Sequence, residues 1–265
     1  MYRVSVLQFE PKLLDKEANL MVAEELLSGL ETDLVVLPEL CTSGYVFQGV
    51  EEVMSMAEEL PTGMFFEAMR ELSAKQDMSI VYGFAELCEG TLYNSSVLIN
   101  PKGDYYVYRK THLFFREKFF FAPGNTGFRV FEAKGGIKVG MMVCFDWQFP
   151  EATKTLALRG AQIICHPSNL VLPWCQEAMR TRSLENRVFS ITANRIGTET
   201  NGTMSHTFTG QSQILGTRGE VLAKLPVDTC ETATVMINPL LAFDKSVSPE
   251  NDLVKDRRPE FYQYQ

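Results

Sequence analysis

Apolar runs of strand length alternate with helical patterns along this chain, and that alternation limits it to a mixed α/β fold. Leu34-Val35-Val36-Leu37 and Ile137-Lys138-Val139-Gly140-Met141-Met142-Val143 are nearly continuous in apolar residues, the pattern of strands covered on both faces. The spacing predicts strands over residues 4–9, 34–37, 79–85, 95–100, 105–109, 127–132, 138–143, 162–165, 190–194, 211–215 and 234–238. It predicts helices over 15–28, 63–76, 150–159 and 174–189, the last with Trp174, Ala178, Thr181, Leu184 and Val188 along one face. Residues 100–104 and 217–220 read as hairpin turns. Sheets and helices both need a covering face, so the elements should stack in layers, although the pattern does not give the strand order. A length of 265 residues allows one large core or two small ones. No linker, repeat or low-complexity segment divides the chain, so residues 1–265 read as one domain with a polar tail or arm at about 244–265.

Cys144 ends the second apolar run. A short turn, Phe145-Asp146-Trp147-Gln148, follows it, and Phe149-Pro150-Glu151 opens a helix, with Pro150 suited to the first helical position. The thiol therefore sits at a strand-to-helix turn. The field of a helix N-terminus favours thiolate and is expected to lower its pKa. The layout resembles a nucleophile elbow without the G-x-S-x-G pattern. The plain alternative is a buried structural cysteine, the usual fate of this residue.

A nucleophilic thiol needs a base and a donor for the oxyanion. The three histidines, His112, His166 and His206, allow a Cys-His pair, but the local signatures of cysteine proteases are absent. Carboxylates offer another route. Glu39 emerges where the strand over 34–37 stops at Pro38, among apolar and small residues, and burial there would raise its pKa toward neutrality. Lys110 emerges at the end of the strand over 105–109, placed to hold an oxyanion. Glu117 lies amid phenylalanines, and pairing with Lys110 would satisfy both charges. Taken singly, Glu39 and Lys110 also fit a solvated loop glutamate and a surface lysine.

Composition narrows the function classes. The formal charge of -8, with no basic cluster, argues against nucleic-acid binding. No apolar run approaches the roughly 20 residues of a membrane span, and the N-terminus alternates as a strand rather than as a signal peptide. Six cysteines without framework spacing read as reduced thiols, hence a cytoplasmic protein. Metal-ligand spacings are missing, so no metal is expected.

Several stretches in order carry a resemblance that none carries alone. They are Leu37-Pro38-Glu39, Arg109-Lys110-Thr111-His112-Leu113-Phe114, Glu117 with Ala122-Pro123-Gly124, Val143-Cys144-Phe145-Asp146 with Phe149-Pro150-Glu151, and His166-Pro167-Ser168-Asn169. Leu184-Glu185-Asn186-Arg187, Ala193-Asn194-Arg195-Ile196-Gly197 and Phe208-Thr209-Gly210-Gln211-Ser212 complete the series. The set resembles the nitrilase superfamily of carbon-nitrogen hydrolases and spans nearly the whole chain.

The resemblance implies a four-layer α-β-β-α sandwich that associates through outer helices into homodimers or higher homo-oligomers. It implies Glu39 as general base, Lys110 as oxyanion stabiliser, Cys144 as nucleophile and Glu117 as a second, positioning glutamate. Phe145 would add a backbone donor, and Trp147, His166, Asn169 and Trp174 are candidates for the substrate pocket. The expected reaction is hydrolysis of a carbon-nitrogen bond in a small linear amide or N-carbamoyl compound, through a thioester and without a cofactor. The segment after Cys144 is similar to the carbamoyl-putrescine and aliphatic amidase branches. A nitrilase using the same residues is the main alternative; an acyltransferase and a non-catalytic scaffold fit less well.

Overall fold

Leu34 and Val36 point into an apolar core between two sheets, whereas Val35 and Leu37 join a second core beneath a helical layer. Both faces are covered, which is why this run reads as continuously apolar. The computed structural model describes residues 1–262. The strands are β1 (Tyr2–Gln8), β2 (Leu34–Val36), β3 (Ser79–Cys88), β4 (Thr91–Ile99), β5 (Tyr105–Arg109), β6 (Val130–Ala133) and β7 (Ile137–Met141). They continue as β8 (Ile163–Ser168), β9 (Phe189–Asn194), β10 (Thr198–Asn201), β11 (Met204–Thr207), β12 (Gln213–Leu215), β13 (Val221–Lys224) and β14 (Glu231–Ile237). The helices are α1 (Lys16–Leu27), α2 (Val50–Met56), α3 (Met64–Gln76), α4 (Pro150–Leu158) and α5 (Cys175–Asn186).

Two six-stranded sheets form, in the orders β14-β1-β2-β3-β4-β5 and β13-β12-β9-β8-β7-β6. In each, the central three strands run parallel, β1-β2-β3 in the first and β9-β8-β7 in the second. Val4, Val6, Val81 and Leu98 of the first sheet meet Val139, Met141, Ile191 and Ile214 of the second. Ala23 and Leu27 of α1 and Phe65, Phe66 and Met69 of α3 cover the outer face of the first sheet. Helices α4 and α5 contact each other, and α5 also contacts β9 and β12 on the outside of the second. The result is the expected α-β-β-α sandwich. No helix of the described residues is long and apolar enough to cross a membrane.

Helix ends follow local chemistry. Asp15 caps α1 by accepting from the Ala18 N–H, and Pro150 opens α4 as its position predicts. Other expectations need correction. Strands 79–85 and 95–100 are the inner parts of a longer hairpin, turned at Glu89 and Gly90, both at positive φ. The extension carries Glu86, a charge tolerated indoors because Arg109 and Ser95 bind its carboxylate. Strand 127–132 is observed at Val130–Ala133, and strand 138–143 at Ile137–Met141. Helix α2, the hairpin β10-β11 and strand β13 have no counterpart among the expected elements.

Helix 174–189 is shorter and turned the other way. Arg187 adopts a left-handed cap at φ 49, and α5 buries Cys175, Gln176, Met179, Ser183 and Asn186. Trp174 and Leu184 are exposed. Polar side chains face inward because loop and helix carbonyls satisfy them: Gln176 donates to Gly210 O, and Asn186 to Arg182 O. The segment 244–262 is largely exposed and holds a bridge between Ser246 and Asp252; Lys245 ties it to the carbonyls of Asn186 and Arg187. Residues 263–265 of the expected tail lie outside the described residues.

Candidate active site

Each sheet delivers part of one polar cluster at the ends of its strands. From the first sheet come Glu39 just beyond β2, Asn94 in β4, Lys110 just beyond β5, and Glu117 in a 3-10 turn over Phe115–Phe119. From the second comes Cys144, at the start of a 3-10 turn over Cys144–Gln148. All five are buried. Gly83 of β3 admits the Glu39 backbone, since a Cβ there would lie 2.5 Å from the Glu39 Cα. Gly124 does the same behind Lys110: it donates to the Lys110 carbonyl at 2.9 Å, and its absent Cβ would meet Arg109 O at 2.0 Å.

Lys110 bridges the two carboxylates. Its Nζ donates to Glu39 Oε1 and to Glu117 Oε1, each at 2.7 Å. The Asn94 amide donates to Glu39 Oε1 at 2.7 Å and to Glu117 Oε2 at 3.4 Å, and the Tyr45 hydroxyl donates to Glu117 Oε1 at 2.8 Å. Glu39 Oε2 has no hydrogen-bond partner among the described residues. Burial pulls the Lys110 ammonium toward neutrality, but Glu117 and Glu39 outweigh it and hold its pKa above the ordinary lysine value. Burial pushes Glu117 up to about 6 against the pull of Lys110. Tyr45 is itself anchored: Glu199 accepts its N–H at 2.7 Å and pairs with buried Arg195 at 2.6 Å.

The expected lowering of the Cys144 pKa is overturned. The long helix begins only at Pro150, and Cys144 is pushed well above the ordinary thiol range by burial and by Glu39, with Lys110 acting the other way. The Asn169 N–H faces the sulfur and also favours thiolate, without reversing the outcome. Cys144 sits at φ +41, a left-handed conformation uncommon for a residue with a Cβ.

Asp146 holds this turn. One oxygen of its fully buried carboxylate accepts from Val143 N–H at 2.8 Å and from the Tyr108 hydroxyl at 2.7 Å. The other accepts from His112 N–H at 3.2 Å and meets His112 Nδ1 at 2.7 Å. The segment 108–112 carries Lys110, so a single carboxylate ties the lysine's loop to the cysteine's turn. The His112 ring also stacks on Phe149 at 3.7 Å.

A small open cleft lies over Cys144, lined in part by Phe114, Phe145, Trp147 and Asn169. Three of the expected pocket residues, Phe145, Trp147 and Asn169, thus reach it. His166 does not. It lies beneath Cys144, with Nε2 2.9 Å from the Cys144 carbonyl and Nδ1 3.2 Å from Thr192 Oγ1, and burial lowers its pKa to about 4. It is a neutral prop for the backbone. Trp174 is 60 % exposed and outside the cleft.

A family model for carbon-nitrogen hydrolases matches residues 3–242. The chain belongs to that family, within the nitrilase superfamily. This carbon-nitrogen hydrolase is 43% identical over 265 residues to a nitrilase of Pyrococcus abyssi, covering 99% of both chains. It is 32% identical to an (R)-stereoselective amidase of a Pseudomonas species, over 86% of its own length and 80% of the relative's. It is 30% identical to the N-carbamoylputrescine amidase of Arabidopsis thaliana, over 94% and 90%. Among solved structures, the carbon-nitrogen hydrolase of Helicobacter pylori G27 superimposes with a TM-score of 0.83 at 27% identity, over 98% and 97% of the two chains. An amidase from a Nesterenkonia species shares the fold, with a TM-score of 0.79 at 24% identity over 98% and 94%.

In this carbon-nitrogen hydrolase the residues that sequence reasoning missed are Asn94, Tyr45 and Asp146. Asn94 had one faint signal: Asn94-Ser95-Ser96 is a polar stretch inside a run that is otherwise strand-like and buried. Nothing local marks Tyr45, whose hydroxyl partner lies in a different element.

Proposed function

We propose that the protein is a cysteine-dependent hydrolase that cleaves the carbon-nitrogen bond of a small linear amide or N-carbamoyl compound through a thioester on Cys144. The observation that carries this reading is the grouping of a buried thiol with a lysine that bridges two buried carboxylates, one of which keeps a free oxygen. A thiol whose pKa is raised stays protonated near neutral pH and needs a base beside it. Glu39 takes that role, because its Oε2 is not engaged elsewhere.

In this mechanism Glu39 removes the Sγ proton as sulfur attacks the carbonyl carbon. The oxyanion is held by the Lys110 ammonium and the Phe145 N–H. Glu39 returns the proton to the leaving nitrogen, the carbon-nitrogen bond breaks, and the acyl group stays on sulfur. Water then attacks the thioester; Glu39 accepts its proton, and the carbon-sulfur bond breaks as that proton returns to Cys144. Glu117 touches neither nucleophile nor base. It fixes the ammonium from the opposite side and is a positioning residue.

A second reading, hydrolysis of a nitrile, is favoured by the 43% identity to the Pyrococcus nitrilase. Attack on an amide puts charge on oxygen, which suits an ammonium and a backbone donor, whereas attack on a nitrile puts charge on a nitrogen that must be protonated. Amides, N-carbamoyl amines and nitriles of matched chain length, compared by kcat/KM, test the two readings. We expect one of the first two classes to lead. A nitrile faster than every amide would reverse the assignment. Mass spectrometry with a slow substrate should find the acyl adduct on Cys144 and on no other cysteine.

A further inference from the structure

The cleft over Cys144 has mainly apolar walls, one solvent-exposed amide, Gln148, and a single buried anomaly. Phe114, Phe145, Trp147, Leu170, Val171 and Leu172 form apolar sides, and no lining residue carries an acidic or basic side chain. The anomaly is Asn169. It is 3% exposed, yet neither its Oδ1 nor its Nδ2 has a hydrogen-bond partner among the described residues. A buried carboxamide with donor and acceptor both unmatched is uncommon, because leaving either half unmet costs free energy. The residue is held there by its neighbours. It follows β8, its own N–H faces the Cys144 sulfur, and the next N–H, that of Leu170, donates to Asn194 Oδ1 at 2.8 Å.

We propose that Asn169 is the specificity-determining residue of this cleft, and that it selects an uncharged substrate carrying a second carboxamide-type group beyond the scissile bond. This rests on the amide-hydrolase reading above and narrows it. The side chain offers one acceptor and donors on one nitrogen, so its complement is a neutral group with both an acceptor and a donor: a carboxamide or ureido group. A carboxylate would engage only Nδ2 and set an anion against Oδ1. An ammonium would engage only Oδ1. Either charge would also be desolvated against aromatic and aliphatic walls without a counter-ion. Lys110, outside the lining, supplies none, since Glu39 and Glu117 already hold it.

The test uses the full-length protein and four amides of equal backbone length: butanediamide, butanamide, 4-aminobutanamide and the monoamide of butanedioic acid. For the wild type we expect butanediamide to have the highest kcat/KM and both charged amides to fall at least about 100-fold below it. Asn169→Leu should lower kcat/KM for butanediamide at least about tenfold while changing butanamide far less. Asn169→Asp, nearly the same shape, should shift the ranking toward 4-aminobutanamide. A purely structural role predicts equal losses on butanediamide and butanamide, and that result would overturn the proposal. So would a charged amide that matches the neutral ones in the wild type. Failure of the underlying reading looks different: turnover that survives in Cys144→Ala, or hydrolysis of nitriles with none of amides, removes both inferences together.

Discussion

Lys110→Met keeps most of the stem volume and removes only the ammonium, so it isolates the charge at the centre of the cluster. In the wild type that ammonium sits 2.7 Å from Glu39 and 2.7 Å from Glu117, with all three side chains buried. Removing one partner of a buried ion pair costs about 3–5 kcal/mol, because the remaining charge is stranded. Here two carboxylates are stranded against each other, but Asn94 and Tyr45 still donate to them, which places the expected loss near the lower end, about 3 kcal/mol. At this chain length that corresponds to a fall in Tm of about 5 °C.

The pH dependence carries the more searching part of the test. Without the ammonium, at least one carboxyl is driven to a folded-state pKa above its unfolded value of about 4.3. A raised carboxyl pKa means that the folded state binds the extra proton. Stability is then fullest below the unfolded pKa and is lost as pH rises through that window. The gap between Lys110→Met and wild type should therefore widen from pH 5 to pH 8 in urea titrations read by circular dichroism. Lys110→Met/Glu117→Gln should recover part of it by removing one of the two charges. A gap below about 1 kcal/mol at pH 8, or one that narrows with rising pH, would refute the reasoning.

Other outcomes follow from the same geometry. Cys144→Ala should abolish turnover with little change in Tm, since a small buried thiol tolerates alanine; residual wild-type activity would sink the thioester route. The acid limb of kcat/KM should lie near the value of about 6 to which Glu117 is pushed, with activity falling as pH drops below it and that carboxylate takes up a proton, and the limb should move in Glu117→Gln. Asp146→Asn leaves one acceptor where four contacts converge, so it should lower stability by about 2–3 kcal/mol and reduce kcat more than it changes KM. Trp174 and Leu184 on the outer face of α5 fit a closed two-fold contact, and light scattering should show at least a dimer that Trp174→Glu weakens.

The ends of strands were the legible part of this site. Glu39 and Cys144 follow apolar runs and Lys110 an alternating, tyrosine-rich strand, each marking where the chain leaves a sheet, and the structure brings all three together. What stayed hidden depends on the other sheet or on backbone partners. At Cys144 the field of a nearby helix end is outweighed by burial and by a carboxylate contributed by the first sheet, neither visible in the local sequence. The inward face of α5 was misread because Gln176 and Asn186 look solvent-facing until the carbonyls that accept from them are known. Strands β10 and β11 carry too few apolar residues to announce themselves, and β13, though apolar, is only four residues long and largely exposed.

The division of labour between the sheets has a kinetic consequence. Glu39, Lys110 and Glu117 ride on one sheet, Cys144 on the other, and the Asp146 carboxylate spans the seam. Each sheet can form its own hydrogen-bonded ladder while the reactive groups are still apart. The chemistry appears only when the two layers dock in register, which makes turnover a reporter of the last, long-range step of assembly rather than of strand formation. During refolding from denaturant, regained activity should therefore trail the return of the far-ultraviolet signal.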